Sequence, residues 1–407
     1  MSKLEDMLKY VSEHNDFYKK RINEYKIKNP LDITQWPVLT REELQENRYN
    51  IFSDGYKDKF FNQQLHRQSS SGSSGMPINV YWDKKDWYAS NMSMWRRRLK
   101  YNNIFPNDKY VIFTLNASGR KSTDDLALYI NNPPNVLIIN AGLFFEKNND
   151  SILVDAISEF NPTWLYIQPF ILNKLMESYA DHNVTPPSNL RYIESVGEIL
   201  PEETRRKAKE VFGINVTNFY GSEEFNGIAY ETESHKLEVI DENVFVEILS
   251  DDSISASGQG DAIITSLNNH AFPLIRYNQQ DVISMHKSGN GVNGKNYIHN
   301  IVGRSYNTID VNHIVIGSFM LTEIVGEINK RFGDPIREYK FYYHKNDKIL
   351  YCDIIVAPRF EMWGSEVNGC LEKMLEEKLE GGNILIKVNT VSSISNNGKK
   401  NSILEIN

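Results

Sequence analysis

Cysteine is scarce in this chain. Only Cys352 and Cys370 occur among its 407 residues, and neither belongs to a closely spaced pair. This excludes a small disulfide-stapled scaffold and a zinc site built on cysteine pairs. Two isolated thiols are instead typical of a protein in a reducing compartment, so we expect a cytoplasmic location.

An excess of basic charge is also missing, because the formal net charge is −8. Proteins that bind nucleic acids usually present a clustered basic surface. A short basic run, Arg96-Arg97-Arg98, falls on a helix predicted over residues 87–101, where it indicates a solvated or ion-paired face. We therefore expect no nucleic-acid partner.

Long hydrophobic runs are absent as well. No apolar run approaches the roughly 20 residues of a membrane-spanning helix, and residues 1–20 are charged throughout, unlike a signal peptide. With 40% hydrophobic and 24% charged residues, the composition is that of a soluble globular protein, and no membrane partner is expected. A chain of 407 residues is too long for one ordinary core and predicts two domains.

Several catalytic signatures are missing too. The nine histidines form no HExxH motif and there is no GxSxG elbow, so zinc and serine hydrolysis have no support. Residues 289–295 match glycine-rich nucleotide motifs by their letters. Those motifs precede a helix, whereas a strand-like run follows here, so we interpret the segment as a hairpin loop.

Strand-length apolar runs alternate with helical patterns in the first half of the chain. This alternation predicts a mostly parallel α/β sheet. The strand-like runs are residues 110–114, 136–139, 163–167 and 191–196, and the predicted helices are residues 151–160, 171–182 and 201–212.

The pattern changes twice further along the chain. Residues 245–302 are β-rich, with Gly, Asn and Ser turns and no long helix. After Arg304 the pattern predicts a compact α+β unit of about 100 residues, large enough to fold as a domain. Its predicted helices are residues 319–332 and 365–380, and its predicted strands are residues 339–343, 349–356 and 384–391.

A run of small residues, SSSGSSGMP at residues 69–77, precedes a β-rich segment at residues 78–82. Hydroxyls and backbone N–H groups in such a run can surround a phosphate, because glycine adopts positive φ and has no Cβ to block the approach. The alternative is a flexible linker. The run alone leaves both interpretations open.

Taken in chain order, six segments resemble the motifs of the adenylate-forming superfamily of acyl-CoA synthetases, peptide-synthetase adenylation domains and luciferases. They are residues 69–77, 197–200, 219–224, 273–281, 303–304 and 398–399. The closest likeness is to phenylacetate–CoA ligases and related CapK-type proteins, whose N-terminal signature resembles residues 17–20 and 37–44. The resemblance covers nearly the whole chain.

This resemblance implies an α/β fold in two parts. Residues 1–304 would form a large N-terminal domain, of α/β sheets with a β-rich subdomain, that binds ATP and the acid. Residues 305–407 would form a small mobile α+β lid domain that carries the catalytic lysine, Lys399.

The resemblance also assigns a nucleotide site. The small-residue loop would hold the β- and γ-phosphates, Glu224 would hold Mg²⁺ as a catalytic residue beside Lys399, and Asp281 would accept hydrogen bonds from the ribose with Arg304 nearby. The residues implied for ATP and AMP binding are Ser70, Ser71, Gly72, Ser73, Ser74, Gly75, Gly197, Glu198, Ile199, Phe219, Tyr220, Gly221, Ser222, Asp281 and Arg304.

Two positions depart from the family pattern. Glu223 stands where a threonine or serine normally touches the α-phosphate, a contact that could fall to Ser222. Residues 305–307 read SYN and lack the usual hinge acid.

By the same analogy the acid pocket is aromatic and neutral. Relatives that activate α-amino acids usually place an aspartate there, so its absence favours an aryl or aryl-alkyl carboxylic acid. The implied lining residues are Tyr166, Gln168, Pro169, Phe170, Phe225, Asn226, Gly227 and Ile228.

The implied reaction activates a small-molecule carboxylic acid with ATP and Mg²⁺ to an acyl adenylate, releasing pyrophosphate. The acyl group would then pass to a thiol of coenzyme A or of a carrier-protein phosphopantetheine. Two alternatives stay open: a ligase that forms amides or activates amino acids in natural-product or polysaccharide assembly, and a nucleotide-binding protein that has lost catalysis.

Overall fold

The computed structural model of the protein describes residues 2–69, 78–114, 128–130, 135–140, 150–232, 235–288, 295–304, 309–311, 314–316, 318–333, 335–379, 384–394 and 404–406. The helices are α1 (Lys3–His14), α2 (Asp16–Glu24), α3 (Arg41–Glu46), α4 (Tyr56–Phe61), α5 (Lys84–Asn102), α6 (Asp150–Phe160), α7 (Pro169–Asp181), α8 (Glu202–Phe212), α9 (Ser318–Phe332) and α10 (Gly364–Lys378). Short 3-10 helices cover Ile33–Gln35 and Pro358–Trp363.

The strands are numbered in the same way. They are β1 (His66–Ser69), β2 (Asn79–Trp82), β3 (Tyr110–Thr114), β4 (Leu128–Ile130), β5 (Val136–Asn140), β6 (Trp164–Ile167), β7 (Tyr192–Ser195), β8 (Val216–Ser222), β9 (Asn226–Glu231), β10 (Leu237–Val239), β11 (Val244–Ser250), β12 (Ser253–Ser255), β13 (Gly258–Ser266), β14 (Tyr277–Ser288), β15 (Lys295–Arg304), β16 (Ile309–Val311), β17 (Ile314–Ile316), β18 (Ile336–His344), β19 (Ile349–Val356), β20 (Leu385–Thr390) and β21 (Leu404–Ile406).

Thirteen of the described strands form one sheet, in the order β12-β11-β13-β14-β15-β10-β9-β8-β7-β6-β3-β5-β4. The strands from β5 to β8 in this order run parallel. Those from β8 to β12 pair antiparallel. The predicted parallel α/β sheet and the predicted β-rich segment are therefore both confirmed, and β8 belongs to each.

Helices cover both faces of the parallel strands. On one face α6, α7 and α8 bury apolar side chains in a cluster that includes Ile167 and Ile193. Because side chains alternate along a strand, Trp164 and Glu194 point to the opposite face, where they meet Arg98 of α5.

Arg276 ties the N-terminal segment to the antiparallel strands. Its Nε donates to Glu247 Oε2 at 2.8 Å, and its Nη1 donates to the carbonyl of Trp36 at 2.8 Å. Next to it, the Leu39 N–H donates to the Arg276 carbonyl at 2.9 Å, and Leu39 forms a parallel bridge with Tyr277. Arg276 is buried, so its guanidinium supplies the hydrogen bonds that water cannot give to the Glu247 carboxylate and the Trp36 carbonyl.

The C-terminal part has its own core. A four-stranded sheet in the order β20-β19-β18-β21 packs with α9 and α10 around residues such as Leu321, Phe341, Leu371 and Leu404. The predicted α+β unit is confirmed, while a domain boundary at residue 304 stays a prediction. Helix α9 lies against α8, since a Cβ added at Gly326 would come 3.0 Å from the Glu203 Cβ.

Two smaller expectations concern loops and charges. Ser288 pairs with Lys295 across β14 and β15, which agrees with a hairpin connection, although residues 289–294 lie outside the described part. Arg97 pairs with Glu242 at 2.9 Å and Arg98 with Glu194 at 2.6 Å, while Arg96 is exposed. The ion-paired reading of the basic run is confirmed for two of its three residues.

Arg276→Met is expected to lower the free energy of unfolding by about 3–5 kcal/mol, because it leaves the Glu247 carboxylate buried without its cation. Urea unfolding followed by circular dichroism measures this loss. Lys373→Met is the control, since Lys373 and Glu377 form an exposed pair at 3.9 Å that contributes at most about 0.5 kcal/mol. A loss below 1 kcal/mol for Arg276→Met, on the order of a surface pair, would contradict the anchoring role.

Candidate active site

The candidate site lies where three adjacent parallel strands end. β6 ends at Ile167, β7 at Ser195 and β8 at Ser222. Carboxyl ends of parallel strands meet at one edge of a sheet, and the segments that leave this edge commonly bind ligands. Here those segments begin at Gln168, Val196 and Glu223, so two of the predicted motifs, residues 197–200 and 219–224, meet the predicted pocket residue Gln168 at this edge.

A tight turn follows β8 because β9 must return antiparallel at once. Ser222 pairs with Asn226, and Gly221 pairs with Gly227. A Cβ at Gly221 would come 2.4 Å from the Asn226 carbonyl oxygen and 2.9 Å from the Phe219 ring. Only glycine fits there, and the turn holds Glu223 and Glu224 at the edge.

The hairpin of β1 and β2, whose strands flank the small-residue loop in sequence, contacts this turn through Gln68. Ser69 pairs with Asn79 immediately on either side of the loop. Gln68 Nε2 donates to Asn226 Oδ1 at 2.8 Å and to Glu223 Oε2 at 3.3 Å. Asn226 in turn donates to Ser90 Oγ of α5 at 2.6 Å. Ser70, Ser71, Gly72, Ser73, Ser74 and Gly75 themselves lie outside the described residues.

Asp281 lies on the other side of the same motif. The Tyr220 hydroxyl donates to Asp281 Oδ2 at 2.7 Å, and both side chains are buried. Arg304 pairs with Asp281 across β14 and β15, which places its backbone beside the carboxylate. The structure thus brings together Tyr220, Asp281 and Arg304, which are distant in sequence. Lys399 lies outside the described residues.

Glu198 and Gly197 follow β7 on the edge. Gly197 has a φ of +82°, and its Cβ position would face the Gln168 side chain at 3.6 Å. Glu198 is exposed by its surface area, although nearby protein desolvates its carboxyl. This desolvation raises the pKa of the Glu198 carboxyl to about 7, although a hydrogen bond from the Phe170 N–H lowers it in part. Ile199 is half-buried beside it.

Two carboxylates sit side by side on the β8–β9 turn. Glu224 is buried and Glu223 is exposed. Partial desolvation raises the pKa of Glu223, the charge of Glu224 raises it further, and the bond from Gln68 opposes both. One carboxylate that acts together with phosphate oxygens suits Mg²⁺, and this role of Glu224 stays a prediction. Among the described residues there is no cluster of three His, Cys, Asp or Glu that could hold a metal by itself.

Three buried oxygens at this edge have no hydrogen-bond partner within the described part of the chain. They are Gln68 Oε1, Gln168 Oε1 and Ser222 Oγ. Buried polar atoms are usually satisfied, and a group that binds at the edge would satisfy these. Ser222 precedes Glu223, and its hydroxyl is available for the predicted contact with the α-phosphate, which the glutamate cannot make.

The predicted acid-pocket residues fall into two sets. Tyr166 packs with Phe219, Met94 and Val196 at the edge, and Gln168 and Asn226 lie there too. In contrast, Phe225 and Ile228 are fully buried in the core of the N-terminal and antiparallel parts, and Phe170 packs towards the α6–α8 face. Pro169 is buried at the start of α7, and Gly227 gives room to Met94, whose Sδ lies 2.8 Å from the Cβ position.

Some residues of this edge were not predicted from the sequence. Gln68, Ser90 and Met94 contact the motif residues from β1 and α5, and Glu194 lies fully buried just before Gly197. A glutamate in the apolar run 191–196 was the signal that could have indicated a paired buried charge.

The fold and this edge together define the class of protein. A family model described as AMP-binding enzyme matches residues 69–246. A crystal structure of 2-hydroxyisobutyryl-CoA ligase in the postadenylation state aligns with 100% of this chain and 88% of its own, with a TM-score of 0.74 and 16% identity. An anthranilate CoA ligase in complex with anthranoyl-AMP aligns with 82% of this chain and 64% of its own, at a TM-score of 0.56 and 15% identity. The chain therefore shares the fold of these adenylate-forming ligases, and its residues 69–246 match the AMP-binding enzyme family.

Within this class the chain is similar to a phenylacetate–coenzyme A ligase of Pseudomonas putida. The two are 24% identical over 270 residues, which is 62% of this chain. The aligned part spans 56% of that relative's length. In the part of the chain that the structure describes, no helix is both long and apolar enough to cross a membrane.

Gly221→Ala is expected to destabilise the protein by about 1–3 kcal/mol, because its Cβ meets a carbonyl oxygen that cannot withdraw. Urea unfolding measures the loss. Gly369→Ala is the matched control, since Gly369 lies in α10 with nothing within 4 Å of its Cβ position and should be neutral or stabilised by up to about 1 kcal/mol. Equal effects of the two substitutions would contradict the packing argument.

Glu198→Gln is expected to change how stability depends on pH. Between the ordinary pKa of 4.5 and the folded value of about 7, the native state binds more protons than the unfolded state, so wild-type stability falls as pH rises through this window. The amide removes that fall. Urea unfolding midpoints at pH 5 and pH 7.5 measure the effect. Glu376→Gln, at an exposed position of α10, is the control. If Glu198→Gln leaves the difference between the two midpoints as it is in the wild type, the raised pKa is contradicted.

Proposed function

We propose that the protein is an AMP-forming ligase that activates a carboxylic acid with ATP and transfers the acyl group to a thiol. The observation that carries the proposal is the convergence at the β6–β8 edge. There the β1–β2 hairpin, the Tyr220–Asp281 pair and the Glu224 turn meet beside three buried oxygens that have no hydrogen-bond partner among the described residues.

The first step is attack of the acid's carboxylate on the α-phosphorus of ATP, which forms the acyl adenylate and releases pyrophosphate. Negative charge grows on the phosphate oxygens during this step, so catalysis depends on positioning and on donors aimed at those oxygens. In our proposal the loop N–H groups and the Lys399 ammonium supply such donors, the Ser222 hydroxyl meets the α-phosphate, and Asp281 holds the ribose in the orientation that Tyr220 sets.

Glu224 would hold Mg²⁺ together with the nucleotide phosphates. When bound there, the ion neutralises phosphate charge and orients the leaving pyrophosphate. Glu223 would stay outside that coordination, since its carboxylate accepts from Gln68.

The second step is attack of a thiolate on the acyl carbonyl, which expels AMP and forms a thioester. We propose coenzyme A or a carrier-protein phosphopantetheine as the thiol. The C-terminal unit would rotate between the two steps. In support, the chain aligns with 2-hydroxyisobutyryl-CoA ligase at a TM-score of 0.74 in its postadenylation state but 0.60 in its thioesterification state with CoA.

We propose an aryl or aryl-alkyl acid as the substrate. The support is the apolar, aromatic wall of Tyr166, Phe219 and Met94 at the strand edge. An aromatic ring buried against such side chains removes apolar area from water and gains ring–ring contacts.

One observation favours a second candidate, an amino-acid-activating ligase. Burial raises the pKa of the Tyr166 hydroxyl most, the charge of Glu194 raises it next, Arg98 lowers it, and the charge of Glu223 adds a smaller rise. A carboxylate within electrostatic reach of the acid pocket can pair with an ammonium group on the substrate.

Acid-dependent exchange of pyrophosphate into ATP is the experiment that tests the proposal. A panel of aryl, fatty and amino acids is offered with ATP and Mg²⁺. Exchange with aryl acids is expected, whereas exchange with amino acids that Glu223→Gln abolishes would favour the second candidate. No exchange with any acid, despite ATP binding by calorimetry, would exclude both ligase functions.

Lys399→Ala is expected to lower exchange by about 10²–10³-fold, the usual effect of removing one donor to a developing charge. Thioester formation from supplied acyl adenylate should stay within a few-fold of wild type, because that step does not use the lysine. Lys400→Ala is the matched neighbour control. Undiminished exchange in Lys399→Ala would remove this lysine from the mechanism.

A further inference from the structure

A buried ion pair lies directly behind the candidate acid pocket. Arg98 of α5 donates through Nε to Glu194 Oε2 at 2.8 Å and through Nη2 to Oε1 at 2.6 Å. The exposed fraction is 6% for Arg98 and 0% for Glu194. Two parallel bonds fix the angle between the groups as well as their distance.

Aromatic rings enclose the guanidinium. Its central carbon lies 4.7 Å from the Trp95 ring centroid, 5.1 Å from that of Trp164 and 5.9 Å from that of Tyr166. Trp164 is stacked on Tyr110 with centroids 4.4 Å apart. A cation attracts the faces of such rings, most strongly where water is excluded, so Arg98 holds several rings in place at once.

Hydrogen bonds extend from the carboxylate to the neighbouring strands. The Tyr192 hydroxyl donates to Glu194 Oε2 at 2.6 Å and is bonded to the Tyr230 hydroxyl. Asn102 Nδ2 donates to the same Tyr230 hydroxyl at 3.0 Å. The network therefore joins α5, β7 and β9.

Stability alone is a weak reason for such a pair. Withdrawal of two charges from water costs about as much as their attraction returns, and replacement of both by apolar residues is often neutral or stabilising. What the pair supplies better than an apolar contact is a fixed geometry.

That geometry bears on the pocket at two places. Tyr166 is the register partner of Glu194 and packs with Phe219 and Met94 at the edge. Glu194 also precedes Gly197 by three residues, on the strand that leads to the predicted motif at residues 197–200. A shift of the pair would move the Tyr166 ring and the start of that segment together.

We propose that Arg98 and Glu194 are positioning residues of the acid pocket. They fix the side chain of Tyr166, which forms one wall of that pocket, and do not themselves touch the acid. The inference rests on the proposed function and adds a specificity role to a helix and a strand that carry no recognised motif.

The test is the double variant Arg98→Met/Glu194→Met. It removes both charges, so that neither is left buried without its partner. Its melting temperature is expected to stay within a few degrees of wild type, and its KM for ATP within twofold. The KM for the best acid of the panel should rise at least tenfold in pyrophosphate exchange. If the double variant does not fold, the KM of Glu194→Gln for the same acid is measured instead, and a severalfold rise is expected.

The matched control is Arg97→Met/Glu242→Met, which removes the ion pair between the neighbouring arginine of α5 and Glu242. Among the described residues no hydrogen bond or ring contact joins this pair to a pocket residue. It should leave both KM values unchanged. An unchanged acid KM in the Arg98 and Glu194 variants, or an equal rise in the control, overturns the proposal while the ligase function stands. If the wild type exchanges pyrophosphate with none of the acids, both the ligase function and this positioning role are overturned.

Discussion

Strand β8 is hydrogen-bonded in parallel to β7 on one side and antiparallel to β9 on the other, and the molecule is organised around that change of direction. Parallel strands bring their carboxyl ends to one edge, where helices normally follow. After β8 the chain instead turns back at once, so its turn residues stay at the edge. This is why Glu223 and Glu224 stand beside the hairpin of the small-residue loop, and why Gly221 has no room for a side chain.

Helix α5 makes the same edge rigid from the opposite face. It touches β9 through Met94 and Gly227, the β8–β9 turn through Ser90 and Asn226, and β7 through the ion pair. These contacts are of different kinds, since one is close packing, one a neutral hydrogen bond and one a charge pair. Helix α5 carries no family motif, yet it sets the positions of residues that belong to the predicted motifs.

The sequence was sufficient to predict the elements and the order of the motifs. The α/β alternation, the β-rich middle and the C-terminal α+β unit each left a clear periodic signal, because each buries one face. It was not sufficient for contacts between distant segments. Phe225 and Ile228 resemble pocket residues by analogy but lie in the core, because the packing of the β8–β9 turn and of β9 decides where these side chains go and a motif does not. The partners of Gln68 and Glu194 could not be predicted, since they lie 158 and 96 residues away in the sequence.

The anchor at Arg276 has a consequence for the order in which the protein folds. The bond from its guanidinium to the Trp36 carbonyl joins groups 240 residues apart. At a synthesis rate of about 5–20 residues per second, the N-terminal helices wait roughly 12–48 s for their partner strand to leave the ribosome. Throughout that interval Leu39, Trp36 and Tyr18, all buried in the finished protein, have no sheet to cover them. The nascent chain therefore presents an apolar segment to chaperones well before its active site exists.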